Sequence, residues 1–126
     1  MKRVLIALGL LLAIFAGTLA HGWYLTSFTG ELTALLTQAE SGAERGDWAT
    51  AKALTDEAHQ KWDEKDMYLH VLLRHSETDQ VYSGFHEVEE FINCQEGGEY
   101  SAANARLMAE IDLLSEAEQL NLKNVL

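Results

Sequence analysis

The residues in this chain whose spacing most resembles that of a metal site are histidines with a carboxylate one helical turn away. Three pairs have this spacing: His59 with Asp56, His75 with Asp79, and His86 with Glu90. On a helix each pair would share one face. Carboxylate metal sites in helical bundles need Glu-x-x-His twice, and zinc proteases need His-Glu-x-x-His; the sequence has neither. We therefore expect structural or solvent-facing histidines, with no metal ion and no other cofactor.

Two tryptophans could either fill a core or line a ligand groove. Trp48 and Trp62 are fourteen residues apart, about four helical turns, and so share a helical face. A groove near Trp62, His59 and His75 would suit a small-ligand or metal-binding sensor domain, which stays open as the alternative function. Tryptophan on the apolar face of a helix is more commonly a core residue. We expect both tryptophans in the core.

Catalytic motifs are missing from the sequence. Acidic pairs such as Glu89-Glu90 are common in a chain with 20 acidic residues, so they predict no catalytic site. No phosphate-binding glycine loop and no Gly-x-Ser-x-Gly motif occur. The single cysteine, Cys94, cannot form an internal disulfide. We expect it to be a small apolar residue at a helix end, with an intermolecular disulfide or thioether attachment as alternatives. The protein is expected not to be an enzyme.

A central helix from Asp47 to Arg74 must position most of these residues. Its apolar or bulky residues fall mostly three or four apart, as on one side of a helix: Trp48, Ala51, Leu54, Ala58, Trp62, Leu69, Leu72 and Leu73. Gly46 can end the preceding helix, and Asp47 can cap the new one.

Similar periodicity predicts three further helices and an all-α fold. The first soluble helix carries Phe28, Leu32 and Leu36, ends near Arg45-Gly46, and could continue directly from a membrane helix. The third runs from about Ser76 to Asn93, and the fourth starts at Glu99-Tyr100, after a stop at Gly97-Gly98. The chain has no proline. We predict an N-terminal transmembrane helix followed by a four-helix bundle of two antiparallel helical hairpins.

An internal similarity links the two predicted hairpin turns. GDWATAKA from Gly46 aligns with GEYSAANA from Gly98 at an offset of 52 residues. Each copy predicts a turn in which glycine adopts the left-handed conformation and the acidic residue caps the next helix. The aromatic residue and alanine would then lock the two helices together.

The N-terminus, MKRVLIALGLLLAIFAGTLAHGWYL, is typical of a membrane-directed segment. Lys2 and Arg3 precede an uncharged run, 4–20, and Trp23 and Tyr24 follow it. A helix through 4–25 is just long enough to span a bilayer with these aromatic residues at the headgroups, although Thr18-Leu19-Ala20 could be a signal-peptidase site. We favour an anchor at 1–25, or an uncleaved signal, and an extracytoplasmic helical domain at 26–126.

Charge is distributed very unevenly along the chain. All 20 acidic residues lie at or after Glu31, and after Lys2 and Arg3 only seven basic residues remain, so this part has a net charge of −13. Such a surface repels nucleic acid, which we do not expect as a partner. The two N-terminal positive charges predict a cytoplasmic N-terminus, with the acidic remainder outside the cytoplasm.

Several short motifs recur here in a characteristic order. After the membrane segment come Trp48 with Ala51, then Trp62, then His75 with Glu77 and Asp79, and finally Asn121-Leu122-Lys123-Asn124-Val125-Leu126. Across nearly its whole length the chain resembles the DUF4363 family, small proteins of Firmicutes with one N-terminal transmembrane segment. Arg74 and the glycine pair depart from the family pattern. The resemblance implies membrane location and helical architecture, and it implies no substrate.

These observations predict a role in the cell membrane, as a single-pass protein. We expect an accessory or interaction domain in the cell envelope that works beside another envelope protein. His75 is predicted to brace the corner between the second and third soluble helices with Asp79 and to bind no metal. Trp48, Trp62, Asn121 and Asn124 complete the candidate structural or interaction residues.

Overall fold

Four long helices make up the described chain. The computed structural model describes the backbone of residues 1–72 and 75–125 and the side chains of residues 1–65 and 76–117. The helices are α1 (Lys2–Glu44), α2 (Trp48–Leu72), α3 (His75–Cys94) and α4 (Gly97–Val125), and the described residues contain no strand. The predicted all-α class is confirmed.

Neighbouring helices pack as two antiparallel hairpins. α1 packs against α2 and α4, and α3 packs against the same two helices, which gives an up-down-up-down bundle. Short connections leave no room for another arrangement. The core takes residues from all four helices, among them Leu32, Leu36, Ala58, Trp62, Phe85, Val88, Leu107 and Ile111. The predicted bundle of two hairpins is confirmed.

The apolar N-terminal segment and the first bundle helix are one continuous helix, α1. At 43 residues it is about 65 Å long. Residues 1–20 are exposed on every side, and burial begins at Gly22 and Leu25. This helix is long and apolar enough to cross a membrane. No proline or glycine pair interrupts it, so the bundle starts without a linker.

The turn between α1 and α2 follows the predicted design. Gly46 has φ +77°, the left-handed conformation. Its N–H donates to the Ala43 carbonyl, and the N–H of Asp47 donates to the Gly42 carbonyl, as in a Schellman motif. The Asp47 carboxylate accepts hydrogen bonds from the Thr50 hydroxyl at 2.6 Å and the Thr50 N–H at 3.2 Å. These bonds hold the pKa of Asp47 below its usual value.

The turn between α3 and α4 differs from the prediction. Gln95, with φ +55°, is its left-handed residue, and its N–H donates to the Ile92 carbonyl. The N–H of Glu96 donates to the carbonyl of Phe91, so the Schellman motif closes before the glycines. Gly97 and Gly98 then begin α4. The predictions that these glycines end α3 and that the last helix starts at Glu99-Tyr100 were therefore wrong.

Candidate functional site

Trp62 lies inside the bundle. Its side chain is only 1% exposed and stacks on Phe28 of α1, with ring centroids 6.4 Å apart. The indole nitrogen is buried and has no hydrogen-bond partner among the described residues. A ligand cannot reach this ring without opening the contact between α1 and α2.

Trp48, the first residue of α2, has a different environment. It is half-buried, and its ring meets that of Tyr100 in α4 edge to face, at 5.7 Å between centroids. Trp48 and Tyr100 are the aligned aromatic residues of the two similar segments, GDWATAKA and GEYSAANA. The sequence similarity therefore places two rings in contact at the end of the bundle, although the turns themselves are built differently.

His59 is the best-defined polar group between α2 and α3. Its ring stacks on Phe85, with centroids 4.8 Å apart and planes 7° apart, and its side chain is 15% exposed. The Nδ1 atom lies 2.5 Å from Oε1 of Glu89. Asp63 Oδ1 is 3.6 Å from the Nε2 atom, beyond a good hydrogen bond. The partner of His59 is thus Glu89 on α3, and the predicted neighbour Asp56 is exposed.

His86 and Tyr82 complete a small cluster around His59. The His86 ring lies 4.5 Å from the Tyr82 ring and 5.6 Å from that of His59, between centroids. Its Nδ1 atom is 4.0 Å from the second carboxylate oxygen of Glu89. One carboxylate therefore faces two histidines. The predicted partner Glu90 instead accepts a long contact from the Cys94 thiol, at 3.8 Å.

This histidine cluster has the features of a structural hydrogen-bonded pair. Among the described side chains, no group of three metal-ligating residues converges on a common point. The Nδ1 atom of His59 already faces Glu89, and the ring is fixed between that carboxylate and Phe85. The Glu89 carboxylate thus links α3 to α2 through the His59 ring.

Three predicted site residues, His75, Asn121 and Asn124, have side chains outside the described residues. α3 begins at His75, but the expected pairing of His75 with Asp79 stays a prediction. The Asp79 side chain is exposed. It borders a groove between α3 and α4 whose lining includes Ser83, Glu87 and Arg106.

In this α3/α4 groove the two helices pack closely at Gly84, and this packing buries part of the Glu110 carboxyl group. A Cβ at Gly84 would lie 2.9 Å from the Leu107 side chain and 3.3 Å from Oε2 of Glu110, so only glycine fits comfortably. That Glu110 oxygen is buried without a partner among the described residues. Loss of hydration raises the pKa of Glu110, and Arg106 opposes this shift. Arg106 itself pairs with Glu87 at 3.2 Å.

Where α1 leaves its apolar segment, aromatic and basic residues meet. Trp23 is 76% exposed, and Nζ of Lys65 lies 5.6 Å from the centroid of the Tyr24 ring. One turn further into the bundle, Lys61 Nζ lies 2.9 Å from Oε1 of Glu31. This ion pair raises the pKa of Lys61. Aromatic rings and lysines at the end of an apolar helix are typical of a membrane interface.

Two structural residues were missed by the reasoning from sequence. Glu89 lies three residues after His86, a spacing that could have found one of its contacts, but its bond to His59 crosses between helices. Asn104 is fully buried, and its amide donates to the Leu36 carbonyl at 3.0 Å, linking α4 to α1. Nothing in the local pattern distinguishes it from a surface asparagine.

Comparison with known proteins gives one match. A family model described as a domain of unknown function, DUF4363, matches residues 20–125. The match starts near the end of the exposed apolar segment and covers the whole bundle. No curated protein and no solved structure matches the chain.

Proposed function

Because the chain belongs to the DUF4363 family, whose function is unknown, we propose its role from the structure. It is a single-pass membrane protein whose helical bundle acts outside the cytoplasm. There the bundle serves as an accessory or interaction domain for another protein of the cell envelope.

The exposed apolar part of α1 is the observation that carries this proposal. Its large side chains lie at the surface of the protein: Val4, Leu5, Ile6, Leu8, Leu10, Leu11, Leu12, Ile14, Phe15 and Leu19. Exposing so many apolar groups to water costs roughly 25 cal/mol for each Å². From Val4 to Tyr24 the helix is about 30 Å long, the thickness of a bilayer's hydrocarbon core.

Retention of the segment is favoured over cleavage by the continuity of α1. Thr18-Leu19-Ala20 lies within the helix, which continues without a break into the bundle. Lys2 and Arg3 precede the apolar run, which supports a cytoplasmic N-terminus by the positive-inside rule. The bundle would then lie outside.

A protein partner fits the bundle better than a small ligand. Trp62 is buried, and His59 is fixed between Phe85 and Glu89, so packing already occupies two of the three residues named for the sensor groove. The sequence lacks catalytic motifs, which supports binding in place of catalysis. The strongly acidic bundle disfavours nucleic acid as the partner.

Membrane fractionation followed by crosslinking tests the proposal. We expect the protein to stay in the membrane pellet after carbonate extraction, with its N-terminus intact by mass spectrometry. A photo-crosslinking residue at exposed positions on α4, such as Ala102 and Ala105, should capture one envelope protein reproducibly. A mature chain that begins at His21 would contradict the anchor. Absence of any crosslinked protein at all tested positions would contradict the interaction role.

A further inference from the structure

α2 runs back from the distal end of the bundle toward the membrane segment of α1. Lys61 pairs with Glu31, whereas Lys65, one turn later, lies over Tyr24. Each step forward along α2 is therefore a step backward along α1. Because Trp23 and Tyr24 mark the proposed headgroup level, Lys65 already lies near that level.

α4 runs in the same direction on the other side of α1. Asn104 contacts the Leu36 carbonyl, and Ser115 forms a 3.0 Å hydrogen bond with Thr26. The eleven residues from Asn104 to Ser115 along α4 thus run beside the ten residues from Leu36 back to Thr26 along α1. Ser115 also lies close to the proposed headgroup level.

Neither helix ends at that level. α2 continues for seven residues past Lys65 to Leu72, which is about 10 Å. α4 continues for ten residues past Ser115 to Val125, about 15 Å. Both helix ends therefore reach about the level of Gly17 in α1, inside the segment that the proposed function places in the bilayer.

The composition of these two helix ends differs from that of the rest of the bundle. Residues 67–72 read MYLHVL and residues 119–125 read QLNLKNV, and neither stretch contains any of the chain's 20 acidic residues. Asp66 and Glu118 directly precede the two stretches, Lys65 lies two residues before the first, and Lys123 lies within the second. Elsewhere the acidic bundle would be repelled by lipid phosphates, whereas these ends are rich in apolar residues and carry no negative charge, as suits a membrane-interfacial segment.

We propose that these two helix ends, 67–72 of α2 and 119–125 of α4, lie in the interfacial layer of the bilayer. The bundle is then held at the membrane by three helices, with its axis fixed relative to the surface. This inference rests on the proposed membrane anchor. Because α1 is continuous through residues 20–25, the bundle has no linker by which it could move away from the lipid.

A cysteine scan of both helix ends in the full-length protein tests this placement. Single cysteines at 67–72 and 119–125, in a Cys94→Ser background, carry an environment-sensitive fluorophore. The proteins are reconstituted in phosphatidylcholine and phosphatidylglycerol vesicles that contain a lipid with its quencher on the acyl chains. Wild-type protein labelled at exposed Cys94 is the distal control, and Leu10→Cys in the Cys94→Ser background is the anchor control.

We expect quenching at both helix ends to recur every three or four residues, at values between those of the two controls. If Leu10 is quenched but every scanned position behaves like Cys94, the interfacial contact is wrong and the anchor stands. If Leu10 is not quenched, the anchor fails and this inference fails with it. A third outcome is that neither a lipid quencher nor an aqueous quencher reaches the labels at any protein-to-lipid ratio. That result would mean that protein covers these helix ends, and it would overturn the inference.

Discussion

The Trp62 ring lies nearly parallel to the Phe28 ring, with centroids 6.4 Å apart and an angle of 18° between the planes. Phe28 lies within one turn of Leu25, where burial of α1 begins. This contact therefore joins the middle of α2 to the first bundle turn after the apolar segment. The same packing holds the bundle together and joins it to the apolar segment of α1.

Trp62→Ala should destabilise the bundle by about 3–5 kcal/mol, because it leaves a large cavity against Phe28. Trp48→Ala should cost less, since Trp48 is only half-buried. Denaturant unfolding of the full-length protein in mild detergent measures both. Trp23→Ala, at an exposed position, is the matched control and should leave the unfolding midpoint unchanged. An unchanged midpoint for Trp62→Ala would show that the side chain is outside the core.

His59→Gln should destabilise the bundle by about 1–2 kcal/mol through loss of the bond to Glu89. In a double-mutant cycle with Glu89→Gln, the two effects should couple by about 1 kcal/mol, as expected for residues in contact. His86→Gln, at a more exposed ring, is the control. Metal analysis of wild-type protein should find no stoichiometric zinc, iron or copper. Bound metal that disappears in His59→Gln would support the sensor hypothesis instead.

Glu110→Gln should stabilise the protein at neutral pH. Burial raises the pKa of Glu110 in the folded state above the unfolded value. As pH rises, the unfolded chain releases this proton first, so the folded state loses stability until pH passes the folded pKa. Glutamine at this position has no proton to release, so the variant should be more stable than the wild type at neutral pH. This difference in stability should vanish in acid, where Glu110 is protonated in both the folded and the unfolded wild-type protein. Unfolding midpoints across pH measure the difference, with exposed Glu116→Gln as the control. A constant difference at all pH values would contradict this account.

Gly46→Ala and Gly98→Ala should have opposite effects, although the two glycines align in sequence. Gly46 has φ +77°, so alanine there should cost about 1–2 kcal/mol. Gly98 lies in the first turn of α4, and an added Cβ there would meet no atom within 4 Å, so alanine should be neutral or stabilising by up to about 1 kcal/mol. Thermal unfolding compares them. Equal losses would restore Gly98 as a left-handed turn residue.

Helix number, helix order and the first turn could be predicted because they depend on local signals. Apolar periodicity, the missing proline and the Gly46-Asp47 pair each act within a few residues of the chain. The second turn was mispredicted because a glutamine, Gln95, adopts the left-handed conformation that the internal similarity assigned to Gly98. The turn closes on the carbonyls of Phe91 and Ile92, which belong to the core or pack against it, and sequence spacing does not report that packing.

The candidate site was less predictable because its main contact crosses between helices. Spacing within one helix suggested Asp56 for His59, whereas the bundle places Glu89, thirty residues away, at its ring nitrogen. The helical period predicts which residues share a face. It does not predict which residue of a neighbouring helix lies opposite.

Labelling of Cys94 tests most directly the claim that the bundle is anchored outside the cytoplasm. It is the only cysteine, it is exposed, and it lies at the end of α3 away from the apolar segment of α1. Loss of hydration and nearby Glu90 raise its thiol pKa, so labelling is best done at mildly alkaline pH. A membrane-impermeant maleimide should label Cys94 in intact cells whose protein remains in the membrane fraction. Labelling only after the membrane is permeabilised would place the bundle in the cytoplasm and contradict the account.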